Sequence, residues 1–262
     1  MDLLVIPLVA LVASGLTLYS GFGLGTVLLP AFALFFPVPV AVAATGVVHL
    51  FNNLFKGGLL WKSADWPAVL RFGLPAVPAA IAGAWVLSRL GQTPSLFAIE
   101  AFGATLAPTG AGFAIGLLMI VFGVLELQPW FQKLHAPSRA MPVGGVLTGF
   151  FGGLTGQQGA LRSMFLLKSG LSPARFVATS AMIAILIDLS RLSTYAASLA
   201  DGELTLGGRD GLLVLLSTVA AFAGAYLGAR FVQKVTIGAV RTTVAVLMFV
   251  IGSALMAGLI GA

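Results

Sequence analysis

The sequence predicts an all-α polytopic membrane protein built from two repeats of inverted topology. The first reason is composition: 59% of the 262 residues are hydrophobic and 8% are charged, whereas soluble domains carry about 25% charged residues. The second is an internal repeat, and the third is the distribution of basic residues. Each half is predicted to hold a glycine-broken pair of short helices, re-entrant or V-shaped, and three transmembrane helices.

The composition also excludes several kinds of function. In a chain with a mean hydropathy of +1.06, the net charge of +6 indicates basic cytoplasmic loops rather than nucleic-acid binding. Because there are no cysteines, disulfides, thiolate metal sites and thiol catalysis are excluded. Asp2 stands where a signal peptide would carry basic residues, so we expect the apolar segment after it to belong to the mature fold.

The two halves align when the sequence is shifted by 134 positions, then by 141, and near the ends by 129. The matched segments are 15 with 149, 25 with 159, 39–45 with 173–179, 79–89 with 220–230, and 118–123 with 247–252. These matches in order indicate a duplication. We therefore expect a first repeat over residues 1–127, a cytoplasmic linker over 128–142, and a second repeat over 143–262.

Hydrophobic segments predict ten helices in two matching series. The first series covers about 3–19, 25–36, 40–61, 66–89 and 102–127, and the second about 143–155, 159–169, 174–199, 210–231 and 238–260. The short helices of each broken pair cannot span the roughly 30 Å hydrocarbon core alone. If each broken pair forms one interrupted crossing of the membrane, the two repeats are parallel. If each pair instead folds back as a V, the two repeats are inverted.

Basic residues favour the inverted arrangement, since they should gather on the cytoplasmic side. In that arrangement one side receives Lys56, Lys62, Arg71, Lys133, Arg139, Lys168, Arg175, Arg230, Lys234 and Arg241. The other side receives only Arg89 and Arg209, whereas parallel repeats would divide the twelve evenly. Both termini are then predicted to be periplasmic or extracellular.

Two glycine-rich breaks are predicted to form the functional site. Residues 148–164 contain five glycines, and a similar break lies at residues 20–26. A helix-interior glycine costs about 1 kcal/mol, and backbone freed from a helix in a membrane needs partners in protein or a wet cavity. The break residues predicted to bind substrate are Gly21, Gly23, Gly25, Thr155, Gly156 and Gly159.

The second break carries polar side chains suited to an anion. Arg162 lies in the first turn of the helix that follows the break, where the positive helix end adds to its charge. We expect it to contact the substrate, with a structural or interfacial role as the alternative. Gln157 and Gln158 offer amide donors that bind substrate or satisfy backbone carbonyls.

Further polar residues lie within predicted membrane helices. His49, Asn52 and Asn53 share one broad helix face, so they are candidates for substrate binding, with interhelical hydrogen bonding as the alternative. Asp188 and Arg191 are three residues apart and are expected to form an ion pair, either structural or involved in coupling. A proton is one candidate coupling ion, carried by His49 or Asp188.

Discontinuous helices in an inverted repeat are typical of secondary transporters. The glycine motif at 21–30, the second motif at 149–156, the duplication and the size resemble the TauE/SafE family of sulfite and sulfonate exporters. The resemblance implies an ion-coupled transporter of the bacterial inner membrane that exports sulfite, a sulfonate or thiosulfate by alternating access. Family members commonly carry a proline after each glycine motif. Here Pro30 follows the first motif, but Met164 stands at the equivalent position after the second. The resemblance therefore bears more on the fold than on the substrate.

Other functions stay open at the level of the sequence. The alternatives are a carrier that imports another small organic anion, and an anion channel. The two histidines are far apart and no clustered carboxylates suggest a metal, so we predict no enzyme activity, metal or cofactor. The expected partners are the small anion, the lipid bilayer, a proton or other coupling ion and a second copy in a homodimer, but no nucleic acid.

Overall fold

The computed structural model describes residues 2–20, 24–101, 103–134, 136–166, 170–200, 208–231 and 237–261. Within them the chain is almost entirely helical. The helices are α1 (Asp2–Ser20), α2 (Leu24–Ala33), α3 (Val38–Leu60), α4 (Trp66–Gly91), α5 (Gly110–Leu127), α6 (Pro129–Gln132), α7 (Met141–Thr155), α8 (Gly159–Leu166), α9 (Pro173–Ala200), α10 (Gly208–Phe231) and α11 (Ile237–Ala257). Two short 3₁₀ turns cover Trp61–Ser63 and Ser138–Ala140, and two strands, β1 (Ile99–Ala101) and β2 (Ala104–Leu106), form a hairpin.

Among the described residues, five stretches are long and apolar enough to cross a membrane. They are Val38–Ser63, Trp66–Gly91, Gly110–Leu127, Pro173–Ser198 and Gly208–Gly228. Three shorter apolar helices cover Asp2–Leu16, Leu24–Ala33 and Arg241–Ala257. The predicted class, an all-α polytopic membrane protein, is therefore confirmed, and both expected helix breaks coincide with helix ends.

Local chemistry explains several helix boundaries. The Asp65 carboxylate caps α4 by accepting from the backbone N–H of Ala68 at 3.0 Å, and Thr109 caps α5 in the same way. The helix expected from about residue 102 begins only at Gly110, because residues 99–106 form the hairpin instead. Gly103, with φ of +76°, supplies the left-handed residue that its turn needs.

Repeat-equivalent helices exchange partners between the halves. α7 packs on α4 and its counterpart α1 packs on α10, while α3 pairs with α9 and α5 with α11. Gly46 faces Arg191 and Gly57 faces Met182, so α3 and α9 run antiparallel. α5 and α11 also run antiparallel, since Gly116 meets Gly252 near the beginning of one helix and the end of the other. An inverted repeat requires this direction of equivalent helices.

Small residues allow the tightest of these contacts. Gly145, Gly149 and Gly153 recur every four residues along α7. A β-carbon on Gly149 would lie 2.3 Å from the carbonyl oxygen of Ala76, and one on Gly153 would lie 2.1 Å from that of Ala80. This spacing of small residues lets helices approach closely within membranes. It holds α7, the helix that leads into the second break, close against α4.

One end of the molecule, here called the linker end, gathers the α3–α4 turn, the linker and the α8–α9 turn. Arg175 Nη2 lies 3.1 Å from Asp65 Oδ2, and the N–H of Ala136 donates to the Met164 carbonyl at 3.2 Å. Because Phe165 also packs on Gly144 near the beginning of α7, α7 and α8 fold back on each other as a V.

The opposite end, here called the terminal end, holds both described chain ends. Arg209 Nη2 lies 2.8 Å from Asp2 Oδ1, which joins the beginnings of α10 and α1. The N–H of Val38 donates to the carbonyl of Gly261 at 3.4 Å. These contacts place Asp2 and Gly261 at the opposite end of the molecule from Asp65 and Arg175. Which end faces the cytoplasm stays a prediction.

Candidate functional site

The two breaks meet inside the bundle. A β-carbon on Gly25, at the beginning of α2, would lie 2.8 Å from the carbonyl oxygen of Gly156. Gly156 ends α7 in the left-handed region with φ of +77°, a conformation that glycine adopts at no steric cost. Gly159 is buried and begins α8. The predicted site residues Gly21 and Gly23 lie outside the described residues.

A polar cluster surrounds Asp188 beside this meeting point. One carboxylate oxygen, Oδ1, accepts from Gln158 Nε2 at 3.1 Å and from Arg191 Nε at 2.9 Å. The other, Oδ2, lies 2.6 Å from His49 Nδ1. Arg191 Nη2 is also 2.7 Å from Oδ1. The expected contact between Asp188 and Arg191 is therefore present, but Asp188 additionally joins α3 to the second break.

His49 sits between this carboxylate and Asn53. An ionised carboxylate can only accept hydrogen bonds, so the short contact to Asp188 puts the imidazole proton on Nδ1. The amide nitrogen of Asn53 donates to the His49 carbonyl at 2.8 Å and lies 3.3 Å from the ring nitrogen Nε2. The face predicted from the spacing of these residues thus points into the interior.

Arg162 extends the cluster along α8. Its Nη1 donates to Gln158 Oε1 at 3.1 Å, while the amide nitrogen of the same glutamine donates to Asp188. The residue is 7% exposed. Among the described residues no carboxylate forms an ion pair with Arg162. Gln158 therefore links a fully paired carboxylate to a buried cation that has none of its own.

Several buried donors in and beside the cluster have no acceptor among the described residues. These are Asn52 Nδ2, Gln157 Nε2, Arg162 Nε and Arg191 Nη1. Both polar atoms of the Gln157 side chain lack partners although the residue is 4% exposed. An unsatisfied buried polar group costs about 1–3 kcal/mol. Such an excess of donors suits a ligand that only accepts, and an oxyanion is a ligand of this kind.

The remaining predicted residues hold the neighbouring backbone. Thr155 Oγ1 donates to the Phe151 carbonyl at 2.9 Å and accepts the N–H of Gln157 at 3.1 Å. Asn52 Oδ1 accepts from Ser14 Oγ at 3.1 Å, so α1 of the first broken pair also reaches the cluster. Thr155 is thus engaged in shaping the break.

Three residues that contact or approach the cluster were not singled out from the sequence. Ser14 lies on α1, and Tyr195 donates its hydroxyl hydrogen to the Gly153 carbonyl. Tyr195 follows Arg191 by four residues, so helical spacing could have placed it on the same face. Lys56 was grouped with the basic residues outside the membrane, but it lies within α3 and is half-buried.

Within the described part of the chain, no group of three or more His, Cys, Asp or Glu side chains is arranged to hold a metal ion. The cluster instead combines two buried arginines, one carboxylate and several neutral amides. Its chemistry is that of hydrogen-bond donation and positive charge.

Comparison with known families matches nearly the whole chain to one family. The family model described as sulfite exporter TauE/SafE matches residues 6–255 of the chain, whereas comparison with curated proteins finds no match. The matched region includes both glycine breaks and the entire polar cluster. Since it spans nearly the whole sequence, the protein belongs to the sulfite exporter TauE/SafE family, a family of multi-pass membrane transporters of sulfur-containing anions.

Proposed function

We propose that the protein is a secondary transporter that exports sulfite, a sulfonate or thiosulfate across the bacterial inner membrane by alternating access. The observation that carries this proposal is the set of unpaired buried donors beside the meeting point of the two breaks. A pyramidal or tetrahedral sulfur oxyanion has several acceptor oxygens and no obligatory donor. It therefore complements a site of this composition.

In the proposed complex the anion lies against the second break. Arg162 supplies the charge, Gln157 and Asn52 supply amide donors, and the beginning of α8 at Gly159 supplies backbone N–H groups with a favourable helix dipole. Gln158 orients Arg162 through the hydrogen bond at 3.1 Å. The first break contributes backbone at Gly25 and keeps the second in position.

Alternating access would use the two repeats, 1–127 and 143–262, which the linker 128–142 joins. The antiparallel contacts of α3 with α9 and of α5 with α11 support an inverted relation between them. Because each broken pair packs largely on helices of the opposite half, a rocking motion of the halves would open one side of the site as it closes the other. The linker end is the proposed cytoplasmic side.

A coupling ion is part of the proposal, and the contact between His49 and Asp188 supports a proton. Histidine is the side chain whose ordinary charge change falls between pH 5 and 8, and this one bridges the halves at 2.6 Å. His49→Gln should flatten the pH dependence of transport while sulfur-anion binding persists. Unchanged pH dependence of flux in proteoliposomes would remove the histidine from the coupling step.

The overall function is tested with purified protein in two assays. A thermal-shift screen over sulfite, thiosulfate, sulfonates and carboxylates should show stabilisation by a sulfur anion, because a ligand of the folded state raises its stability. Proteoliposomes loaded with that anion should then show saturable flux. Stabilisation by carboxylates alone would favour a carrier of another organic anion, as the departure at Met164 allows, and unsaturable flux would favour a channel.

A further inference from the structure

Lys56 lies on the same face of α3 as the residues of the polar cluster. It follows Asn52 by four residues and Asn53 by three, and residues at these spacings are neighbours on a helix surface. Asn52 and Asn53 are buried, and Lys56 is half-buried. From His49 to Lys56 the helix advances by about 10 Å towards the linker end, where α3 ends at Leu60.

Arg162 lies on the same side of the cluster. It follows Gln158 by four residues, and α8 then continues to the linker end, where Met164 accepts from the Ala136 N–H. The turn after α3 reaches this end too, since Asp65 pairs there with Arg175. His49 Nδ1 and Gln158 Nε2 lie 3.5 Å apart, and from this contact α3 and α8 both advance towards the linker end, so Lys56 and Arg162 lie on the same side of the cluster.

The charges around these two cations do not balance. Asp188 is engaged by Arg191 at 2.7 Å and by His49 at 2.6 Å. The other carboxylates that form ion pairs, Asp65 and Asp2, pair with arginines near the two ends. Within the described residues, neither Lys56 nor Arg162 has an ion-paired carboxylate. Two cations on one side of the cluster repel each other, and an anion bound between them would relieve that repulsion.

We propose that Lys56 and Arg162 bind the anion jointly and that the site selects a doubly charged oxyanion. This inference rests on the proposed transport of sulfur anions. One cation is enough to neutralise a singly charged sulfonate, whereas the pair matches a dianion such as thiosulfate. Gln157 and Asn52 would donate to oxygens on the side of the anion that faces the cluster. The competing explanation is that Lys56 extends its ammonium to the membrane surface.

The experiment compares thiosulfate, a dianion at neutral pH, with methanesulfonate, a monoanion of similar size, by titration calorimetry on detergent-purified protein. Wild type should bind thiosulfate at least about tenfold more tightly. Lys56→Met, which retains the chain length without the charge, should weaken thiosulfate binding by about tenfold or more and methanesulfonate binding by less than about threefold. Lys56→Arg should keep the preference, and Lys62→Met, in the exposed turn after α3, should change neither affinity.

The outcomes separate this inference from the transport function. Tighter binding of methanesulfonate by wild type, or equal weakening of both ligands by Lys56→Met, would overturn the selection of a dianion while leaving sulfur-anion binding intact. An unchanged thiosulfate affinity in Lys56→Met would show that the Lys56 ammonium does not bind the anion and extends to the membrane surface. Wild type that binds neither anion would overturn the inference, and if it also fails to bind sulfite the proposed function is wrong as well. Lys56→Gln serves as a second variant if Lys56→Met does not fold.

Discussion

The two breaks share an architecture but differ in their chemistry. With the shift of 134 positions, Arg162 corresponds to Leu28 and Gln158 corresponds to Leu24. Both leucines are buried in an apolar core, whereas both polar residues join the cluster around Asp188. The second break therefore holds charge and amides where the first holds hydrocarbon. Among the described residues, this approximately symmetric scaffold therefore holds a polar cluster at the second break and an apolar core at the first.

The long helices that follow the breaks show the complementary difference. His49 on α3 corresponds to Ile183 on α9, and Asp188 on α9 corresponds to Leu54 on α3. Each half thus contributes polar residues where the other is apolar, and the two sets meet at the contact between His49 and Asp188. Because the cluster is complete only when both halves are present, its geometry is sensitive to their relative position. The proposed rocking of the two halves would need this property.

The largest expected effect is on the stability of the protein, and it compares the buried polar cluster with an exposed ion pair. Asp188→Asn leaves Arg191, which is fully buried, without its carboxylate, and breaking a buried ion pair costs about 3–5 kcal/mol. Asp65→Asn removes the carboxylate of the exposed pair with Arg175 and should cost less than about 1 kcal/mol. Unfolding in detergent measures both. Equal losses would mean that the cluster is no more important to the fold than a surface contact.

A slightly smaller effect is expected on binding at the equivalent positions of the two breaks. Arg162→Gln should weaken the binding of the sulfur anion by at least about 30-fold, since losing a buried charged contact costs about 2 kcal/mol or more. Leu28→Met, its matched control in the first break, keeps volume and polarity and should change the affinity by less than about threefold. Calorimetry measures both. Full affinity in Arg162→Gln would show that the second break does not bind the anion.

Much of the helical framework could be predicted because its causes are local. Runs of apolar residues define the membrane helices, and α7 ends at Gly156 within the second predicted break. Where local patterns conflict, the prediction was wrong: the helix expected from about residue 102 begins only at Gly110, and the strands Ile99–Ala101 and Ala104–Leu106 form a hairpin with Gly103 at its turn. The helix bounds elsewhere agree to within a few residues.

The candidate site could be predicted only in part, because its contacts are distant in sequence. Helical spacing puts Asp188 beside Arg191, but nothing local links either residue to His49, 139 positions away from Asp188. Lys56 shows a second limit. A count of basic residues on each side of a membrane assigns every lysine near a helix end to the surface, although the α3 face that carries this one points inward.

The smallest effect concerns the contact that joins the breaks. Gly25→Ala would place a β-carbon 2.8 Å from the Gly156 carbonyl oxygen, and relief of that overlap should cost about 1–3 kcal/mol. A β-carbon added to Gly58, in the last turn of α3, would have no neighbouring atom within 4 Å, so Gly58→Ala should stabilise the protein by up to about 1 kcal/mol. Thermal unfolding compares the two variants. A stabilising effect at both positions would mean that the breaks do not touch, and the anion site would then belong to the second break alone.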